Sequence, residues 1–454
     1  MNSLFNEFAP VTALQWKEQI VKDLKGVSFD QLKWKTDNGF DINPFYTSED
    51  LKQQYAPLFT ESNWDICEQI SVTDEKKDNA RALKALEGGA SGLSFYIHKK
   101  CDLKILLNNI SLEHIYTQFF ISNDAIQVLD DLKNVYGKKN VHDGKIKCFI
   151  NIDPLCLLAY YGEWHADQQK DLSVLKNLIH IPVNASLYQE AGANTVNELA
   201  ITLCHLNEYF NYLQSEKVLK DKTIHFTFSV NGNFFPEIAK LRAIRKLVDL
   251  IQEQYATQFP IHIHAQTTQQ NKSSLDAYTN MLRTTTEGMS AVLGGCSSLC
   301  VLPFNEGFES VSDFSSRISL NQQHILKEES YLNKVADVSA GSYYLESITE
   351  ELASLAWEKF KELESKGGFI KCIENNTIQN IISQDADKLL GDVKEGKSVL
   401  VGVNKFQNAS EKLSPFKIQA KDKTTPTFKA IKPIRLAYSF EEEKQTLSSS
   451  SIKQ

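Results

Sequence analysis

Residues 223–306 constrain the fold of this chain most, because their apolar residues switch repeatedly between two periods. Apolar and polar residues first alternate one by one, which is typical of a strand. Apolar residues then recur at steps of three and four, which is typical of one buried helix face. The predicted elements are strand 223–230, helix 236–255, strand 261–265, helix 275–293 and strand 298–303. This alternation predicts parallel strands joined by helical crossovers.

Five further strand patterns precede this unit, with helical stretches between them. They cover residues 65–71, 93–97, 115–121, 147–152 and 179–185. Eight strands that alternate with helices over roughly 250 residues match the count and size of a (β/α)8 barrel. We therefore predict an α/β fold with a TIM-type barrel at residues 64–395. A doubly wound open sheet is the alternative.

Two segments flank the predicted barrel. Residues 1–63 are expected to form an N-terminal arm that makes subunit contacts, with a short helix at 16–25 and a hairpin that turns at Asn38 and Gly39. The arm is too rich in apolar residues to bury them among its own short elements. Residues 396–454 are expected to form a C-terminal linker, with a strand at 399–403 and a disordered, low-complexity tail from Thr446.

Composition argues against several classes of protein. A formal net charge of −8 disfavours nucleic-acid binding, which needs a basic face. No apolar run has the length of a membrane span, and the first residues lack the regions of a signal peptide, so a cytoplasmic protein is expected. The eight cysteines follow no zinc or redox spacing, and they are expected to be reduced thiols.

Polar side chains alternate with apolar ones on three of the strands, and we predict that they line the barrel. This inward set is His180, Asn184, His225, Thr227, Ser229, His262 and His264. Most barrels are filled instead with Val, Ile and Leu. Buried polar groups need partners, and imidazole rings are too wide to leave a channel, so we predict a polar but obstructed interior. The alternative is an unrelated barrel enzyme with a metal site of four histidines, although no carboxylate accompanies them.

Six motifs along most of the chain resemble the methylmalonyl-CoA mutase family, in the family's order. They are Trp34-Lys35-Thr36 with Pro44-Phe45-Tyr46-Thr47, Gln189-Glu190-Ala191-Gly192-Ala193, Phe235 with Ile238-Ala239-Lys240-Leu241-Arg242, Asn280-Met281-Leu282-Arg283-Thr284-Thr285-Thr286-Glu287, Gly341-Ser342-Tyr343-Tyr344-Leu345-Glu346, and Val401-Gly402-Val403-Asn404. The resemblance implies the mutase barrel, whose axis is a channel for the coenzyme A arm.

Departures from the family pattern imply a non-catalytic role, that of the small (beta) subunit. Catalytic chains of the family carry a histidine where this chain has Leu187, and a Ser-Leu-His run where it has Cys300 in the last position. They also carry an Arg-Gly segment with a tyrosine, in place of which residues 56–59 lead directly into the first strand. The cobalamin-binding domain, with its Asp-x-His-x-x-Gly motif, is expected to be absent.

The resemblance thus implies one subunit of adenosylcobalamin-dependent methylmalonyl-CoA mutase, the isomerase that interconverts methylmalonyl-CoA and succinyl-CoA. A large (alpha) subunit would complete a heterodimer, bind the adenosylcobalamin and handle the acyl-CoA substrate. We assign no catalytic, cofactor-binding or metal-ligating residue to this chain, and expect it to be inactive alone. The alternative is a catalytic barrel chain of an acyl-CoA mutase that acts with a separate cobalamin-binding chain.

Overall fold

The structure is a computed structural model that describes residues 9–51, 55–122, 130–132, 134, 147–408 and 426–451, the last five by their backbone alone. Its strands are β1 Trp34–Lys35, β2 Asp41–Ile42, β3 Asp65–Val72, β4 Gly92–Ile97, β5 Tyr116–Ile121, β6 Cys148–Asn151, β7 His180–Asn184, β8 Thr223–Val230, β9 Ile261–Thr267 and β10 Ser298–Cys300.

Helices follow most strands of the barrel. The α-helices described are α1 Ala13–Asp23, α2 Glu75–Glu87, α3 Leu103–Leu106, α4 Pro154–Tyr161, α5 Gln168–Ser173, α6 Ser186–Glu190, α7 Thr195–Ser215, α8 Phe234–Gln254, α9 Thr279–Leu293, α10 Asp313–His324, α11 Tyr343–Ser365, α12 Gly368–Glu374, α13 Thr377–Lys394 and α14 Tyr438–Ser451. Short 3-10 turns lie at Phe29–Leu32, Ser48–Asp50 and Val174–Asn177, and a π-helical turn lies at Ile325–Glu329.

Strands β3 to β10 form one parallel sheet in the order β6-β5-β4-β3-β10-β9-β8-β7. The sheet curls until β6 and β7 lie side by side, although no backbone ladder joins these two strands within the described residues. This nearly closed ring with surrounding helices confirms the (β/α)8 TIM-type barrel. The doubly wound open sheet is thereby excluded, since the first and last strands of the barrel, β3 and β10, are paired.

The apolar faces of the strands point outward, as their alternation predicts. Ile224, Phe226 and Phe228 are fully buried, and they belong to one apolar core together with residues of α8 such as Leu241 and Ile244. The core therefore lies between the strands and the helices, and the polar residues of each strand turn inward. All eight cysteines are buried.

Two predicted elements near the carboxyl ends of the strands have different bounds. The helix predicted from residue 275 begins at Thr279, because Asn280 holds the preceding residues in a turn. Its Oδ1 accepts a hydrogen bond from the backbone N–H of Ser273 (3.1 Å), and its Nδ2 donates to the Ser273 carbonyl (2.9 Å). The strand predicted to end at residue 303 ends at Cys300, since the N–H of Leu302 donates to the hydroxyl of Thr267 (2.9 Å).

The strand predicted at 399–403 is wrong. Asn404 accepts a hydrogen bond from the N–H of Leu400 and donates to the carbonyls of Val393 and Ser398, each over 2.7 Å. With Gly402 at a φ of +78°, the segment folds into a turn that contains one isolated bridge.

The tail also differs from its prediction. Helix α14 extends to Ser451 through part of the stretch predicted to be disordered, and residues 452–454 lie outside the described residues. The first turn of α14 is anchored because buried Glu441 accepts hydrogen bonds from the N–H of Ser274 (2.8 Å) and from Arg435 (2.7 Å). These contacts with distant residues fix the start of a helix that composition alone does not favour.

The arm has the predicted helix and hairpin. Thr12 and Gln15 form a capping box that starts α1, and β1 pairs with β2 in antiparallel fashion. Asn38 ties the hairpin to the barrel by accepting a hydrogen bond from the N–H of Thr195 (2.9 Å). None of the helices in the described part of the chain combines the length and apolar character needed to span a bilayer.

Candidate functional site

A layer of aromatic rings crosses the axis of the barrel. Tyr116 on β5 stacks on His262 on β9 with 5.1 Å between ring centroids, and these strands lie on opposite sides of the ring of strands. His225 also stacks on His262 (5.0 Å between ring centroids), and the ring of Phe149 lies 4.4 Å from that of His225. The hydroxyl of Tyr116 lies 3.0 Å from Nε2 of His225. Rings from four strands therefore meet at the centre, which is the obstruction that the inward histidines predict.

The other two inward histidines are bound at the wall of the barrel. His264 Nδ1 lies 2.8 Å from the hydroxyl of Ser298 on the neighbouring strand. His180 Nε2 lies 2.7 Å from the carbonyl oxygen of Ile150, so this side chain links β7 to β6 at the one junction of the described sheet without a ladder. The imidazole thus substitutes for a missing backbone hydrogen bond.

Burial keeps these rings neutral. It lowers the pKa of His180 to about 4 and that of His264 to about 3. Burial, reinforced by the charges of neighbouring histidines, holds the pKa values of His225 and His262 well below 6.5. Desolvation costs more for the charged imidazolium than for the neutral ring, so the interior carries no net charge from its histidines near neutral pH.

The same geometry disfavours the metal site. The rings of His225 and His262 are parallel to within 9°, and nitrogen lone pairs lie in the ring plane, so the two lone pairs do not converge on one ion. Among the described residues, no group of three or more His, Cys, Asp or Glu side chains is arranged to hold a metal.

The carboxyl ends of β3 to β10, here called the barrel mouth, are where enzymes of this fold place their active sites. Here the mouth is crossed by a chain of hydrogen bonds. Tyr96 donates to Gln266 (3.1 Å), Gln266 donates to Ser229 (3.3 Å), and Ser229 donates to Oε1 of Glu190 (2.8 Å). Burial raises the pKa of Glu190, whose Oε2 is buried and has no hydrogen-bond partner among the described residues. The mouth therefore presents amide, hydroxyl and carboxyl groups along this chain.

The position that the resemblance assigns to a catalytic histidine is apolar. Leu187 lies on α6, directly after β7, and its side chain is buried in the main apolar core. The next residue, Tyr188, has its hydroxyl 2.8 Å from Nδ1 of His205, and Nε2 of the same ring lies 3.0 Å from Asp153. This buried contact fixes the loop. Leu187 cannot supply or accept a proton at the mouth, because its side chain is aliphatic and buried.

Glycine is required in the same loop. Gly192 has a φ of +104°, and a Cβ atom added to it would lie 2.6 Å from the Cβ of Ala386 on α13. The Gln-Glu-Ala-Gly-Ala run is thus explained in part by close packing of this loop on α13.

Other motifs of the resemblance form buried ion pairs between helices. Arg242 of α8 pairs with Glu346 of α11 (2.7 Å). Nζ of Lys240 of α8 donates to the carboxyl of Glu198 of α7 (3.0 Å), and burial raises the pKa of Glu198 to about 8, so this carboxyl is protonated near neutral pH. Lys272 pairs with Glu287 of α9 (2.8 Å). Because all of these groups are nearly or fully buried, these contacts stabilise the packing of the helices around the barrel.

The structure places every inward histidine where the alternation predicts, but the sequence did not identify their partners. Tyr116 and Phe149 occupy inward positions of β5 and β6, and the alternation of these strands contains that information. The carboxyl of Glu190 lies within a motif that was noted only for its resemblance. Its link to Ser229 depends on the register of two strands and a loop.

Sequence comparisons with known proteins agree on one family. The sequence profile described as methylmalonyl-CoA mutase matches residues 95–451. The methylmalonyl-CoA mutase small subunit of Porphyromonas gingivalis is 34% identical over 445 residues, which cover 90% of this chain and 72% of that protein. The small subunit of Streptomyces virginiae is 27% identical, with 90% and 73% covered. The methylmalonyl-CoA mutase of Cereibacter sphaeroides is 30% identical, and the alignment covers 87% of this chain but only 64% of that protein.

Proposed function

Because the chain belongs to the methylmalonyl-CoA mutase family, we propose that it is the small, non-catalytic subunit of an adenosylcobalamin-dependent mutase. The enzyme would interconvert methylmalonyl-CoA and succinyl-CoA, with the radical chemistry on a large subunit. Two relatives that cover most of this chain are small subunits by name. The lack of a zinc or redox spacing among its eight cysteines supports the cytoplasm as the compartment of this complex.

The filled barrel axis is the observation that carries the proposal. An acyl-CoA whose pantetheine arm passes along the axis would have to displace the stacked rings of Tyr116, His262 and His225. It would also have to break the contact between Tyr116 and His225. These rings are fixed by packing and hydrogen bonds, so displacing them costs both interactions. Leu187 adds to this argument, because a buried aliphatic side chain has no proton to transfer.

Adenosylcobalamin, which supplies radical chemistry when bound, does not fit the residues of this chain. The four inward histidines have neutral rings in contact with other interior groups, and the Asp-x-His-x-x-Gly run occurs nowhere in residues 1–454. We therefore assign the cofactor to the large subunit and assign no step of the reaction to this chain.

The arm is the proposed contact with the large subunit. Helix α1 has no buried residue, and a helix of 11 residues is marginal in water without tertiary packing. Leu14 is 64% exposed and Trp16 is 45% exposed. The ring of Trp16 packs against that of Phe45 at a tilt of 40°, with 3.7 Å between centroids, so the helix is held in place while its apolar face remains uncovered. Phe5 and Phe8, which extend the apolar character of the arm, lie outside the described residues.

Turnover measurements test the catalytic half of the proposal. We expect no conversion of methylmalonyl-CoA by the purified chain with adenosylcobalamin, and none by Leu187→His, because one imidazole restores neither the open axis nor the cofactor site. The complex with the large subunit is the positive control. Turnover by the chain alone would refute the proposal and favour a catalytic chain that acts with a separate cobalamin-binding chain.

Co-purification tests the structural half. A chain that lacks residues 1–45 should bind the large subunit more weakly than the full chain, while its circular dichroism spectrum still reports a folded barrel. Equilibrium dialysis should show specific adenosylcobalamin binding by the pair and none by this chain alone. Equal binding by the full and shortened chains, or cobalamin binding by this chain alone, would contradict the assignment.

A further inference from the structure

A second group of exposed apolar residues lies outside the arm, on the segment between α10 and α11. Tyr331 is 61% exposed, Val335 is 60% exposed and Val338 is 48% exposed. Phe235, at the start of α8, is 45% exposed. Single exposed apolar residues are ordinary, but several of them together mark an interaction surface. We call these residues, together with Tyr343, the second patch.

Contacts join the second patch to the arm. The N–H of Leu58 donates to the carboxylate of Asp337 (2.8 Å), and the hydroxyl of Ser62 donates to the carbonyl of Asn333 (2.7 Å). Further along, Tyr46 of the arm lies 5.5 Å from Tyr344 of α11, measured between ring centroids, and Tyr344 lies 5.3 Å from Phe235 in the same measure. The arm therefore packs directly against the segments that carry the second patch.

The second patch is held in a defined conformation. Asp337 pairs with the buried side chain of Arg242, which also binds Glu346. The N–H of Ala340 donates to the carbonyl of Asp337 (2.9 Å), and the N–H of Gly341 donates to Glu346 (3.0 Å). Because these contacts order Val335 and Val338 before any partner binds, association at this surface would lose little conformational entropy.

The exposed aromatic side chains of the arm and the second patch supply more than half of the area that one partner buries in a standard interface. Five aromatic side chains, Trp16, Trp34, Phe235, Tyr331 and Tyr343, are 42–61% exposed. At roughly 150–250 Å² for each full side chain, they leave about 500 Å² uncovered. The exposed aliphatic residues of the arm and the second patch add to this total. A standard interface buries about 800 Å² per partner, whereas the largest apolar patch on a typical monomer is about 300–600 Å².

A cleft lies where the arm meets α11. It has a volume of about 410 Å³ and is lined by residues 42–46 and 342–344, among them Phe45, Tyr46 and Tyr344. An aromatic cleft at the centre of an interface accepts a large apolar side chain, the kind of contact that contributes most to binding energy.

We infer that the second patch is a further part of the surface that binds the large mutase subunit, and that the cleft receives an apolar side chain of that subunit. This inference rests on the proposed function. It extends the interface from the arm, which the sequence indicates, to a rigid surface of the barrel domain. The large subunit is then expected to present an apolar face that spans both the arm and the segment 331–343.

The test compares the wild type and three full-length variants. Isothermal titration calorimetry measures how tightly each of them binds the purified large subunit. Val335→Glu combined with Val338→Glu alters the second patch, and Trp16→Glu alters the arm. Leu282→Glu is the control, because Leu282 is 70% exposed but lies on α9, outside both surfaces. We expect a rise in Kd of at least tenfold for the double variant and for Trp16→Glu, and less than a twofold change for Leu282→Glu. Thermal melts of each chain alone report on folding, and Val335→Ser with Val338→Ser replaces the double variant if it is unstable.

The outcomes separate failure of the proposed function from failure of the inference about the second patch. If the wild-type chain does not bind the large subunit, the proposed function fails, and this inference fails with it. If the wild-type chain binds and only Trp16→Glu weakens binding, the inference about the second patch alone is refuted. Another outcome is that sedimentation shows the wild type to be a homodimer which dissociates in the double variant, while binding of the large subunit is unchanged. In that case the patch binds a second copy of this chain, and the assigned partner is wrong.

Discussion

Replacement of His264 by glutamine should make the folded protein less sensitive to acid. The His264 ring is buried beside Ser298, and burial lowers its pKa to about 3. The unfolded chain exposes the ring to water, where its pKa is about 6.5. Between these values the unfolded chain binds a proton that the folded protein does not bind. The contribution of this ring to stability is therefore complete above pH 6.5 and is lost as the pH falls toward 3.

The size of the effect follows from the two pKa values. Between pH 7 and pH 5, protonation of this one ring stabilises the unfolded chain by about 2 kcal/mol, since each pH unit below 6.5 contributes about 1.4 kcal/mol. Folded proteins have a net stability of about 5–15 kcal/mol, so the effect is measurable. Glutamine has a similar length and can still bond Ser298, but it does not titrate. The unfolding free energy of His264→Gln should thus fall by about 2 kcal/mol less than that of the wild type over this range.

Urea unfolding at pH 5, 6 and 7, followed by tryptophan fluorescence, measures this difference. His114→Gln is the matched control, because His114 is exposed in the folded protein and meets water in both states. Its pH profile should coincide with that of the wild type. A second readout does not depend on unfolding: the ring proton signals of His264 in NMR spectra should not titrate above pH 4.

Two results would refute this reasoning. One is a free energy of unfolding that falls between pH 7 and pH 5 as much in His264→Gln as in the wild type, which would mean that the ring is protonated in the folded state. The other is an equal change in His114→Gln, which would mean that the effect does not arise from burial.

Three further changes test the packing and the buried charges. Gly192→Ala forces a φ of +104° on alanine and brings its Cβ to 2.6 Å from the Cβ of Ala386. Urea unfolding should show that this variant is less stable by about 2–5 kcal/mol. The control is Gly391→Ala, which should not lower the stability because the space around Gly391 is open. Arg242→Met leaves two buried carboxylates without their cation and should lower the unfolding free energy by about 3–5 kcal/mol; a neutral result would contradict a paired Arg242. Burial raises the pKa of Glu198 to about 8, so its contribution to the free energy of unfolding is complete below pH 4.5 and is lost as the pH rises through 8. Between pH 6 and 8, the free energy of unfolding of Glu198→Gln should therefore change less with pH than that of the wild type. An unaltered pH profile would show that Glu198 is ionised in that range.

Much of the fold was accessible from hydrophobic periodicity. The eight strand patterns all correspond to strands of the barrel, and the bounds of β8 agree with those predicted. Periodicity works here because the interior of this barrel is polar, so apolar and polar residues alternate along strands such as β8 and β9. It fails at residues 399–403, where an apolar, β-branched run forms a turn because the side chain of Asn404 satisfies the local backbone.

In the candidate site, the sequence predicted which side chains turn inward but not which of them meet. Alternation identified His225 and His262 as inward residues, and the structure agrees. It did not reveal that Tyr116 from the opposite wall would stack on His262, or that His180 would bridge β7 to β6. Nor did it reveal the carboxyl of Glu190 at the mouth, since that group reaches Ser229 from a loop.

The sequence by itself determined the eight strands of the barrel, which face of β7, β8 and β9 turns inward, and that this inward face is polar, because these properties depend on residues close together in the chain. Tertiary structure alone decided which inward side chains meet and how strongly they are desolvated. Both depend on strand register and barrel closure, which bring residues such as Tyr116 and His225 into contact across more than one hundred positions. Whether the barrel axis is open or filled is therefore a property of the closed barrel, since a side chain's direction can be predicted locally but its contact across the barrel cannot.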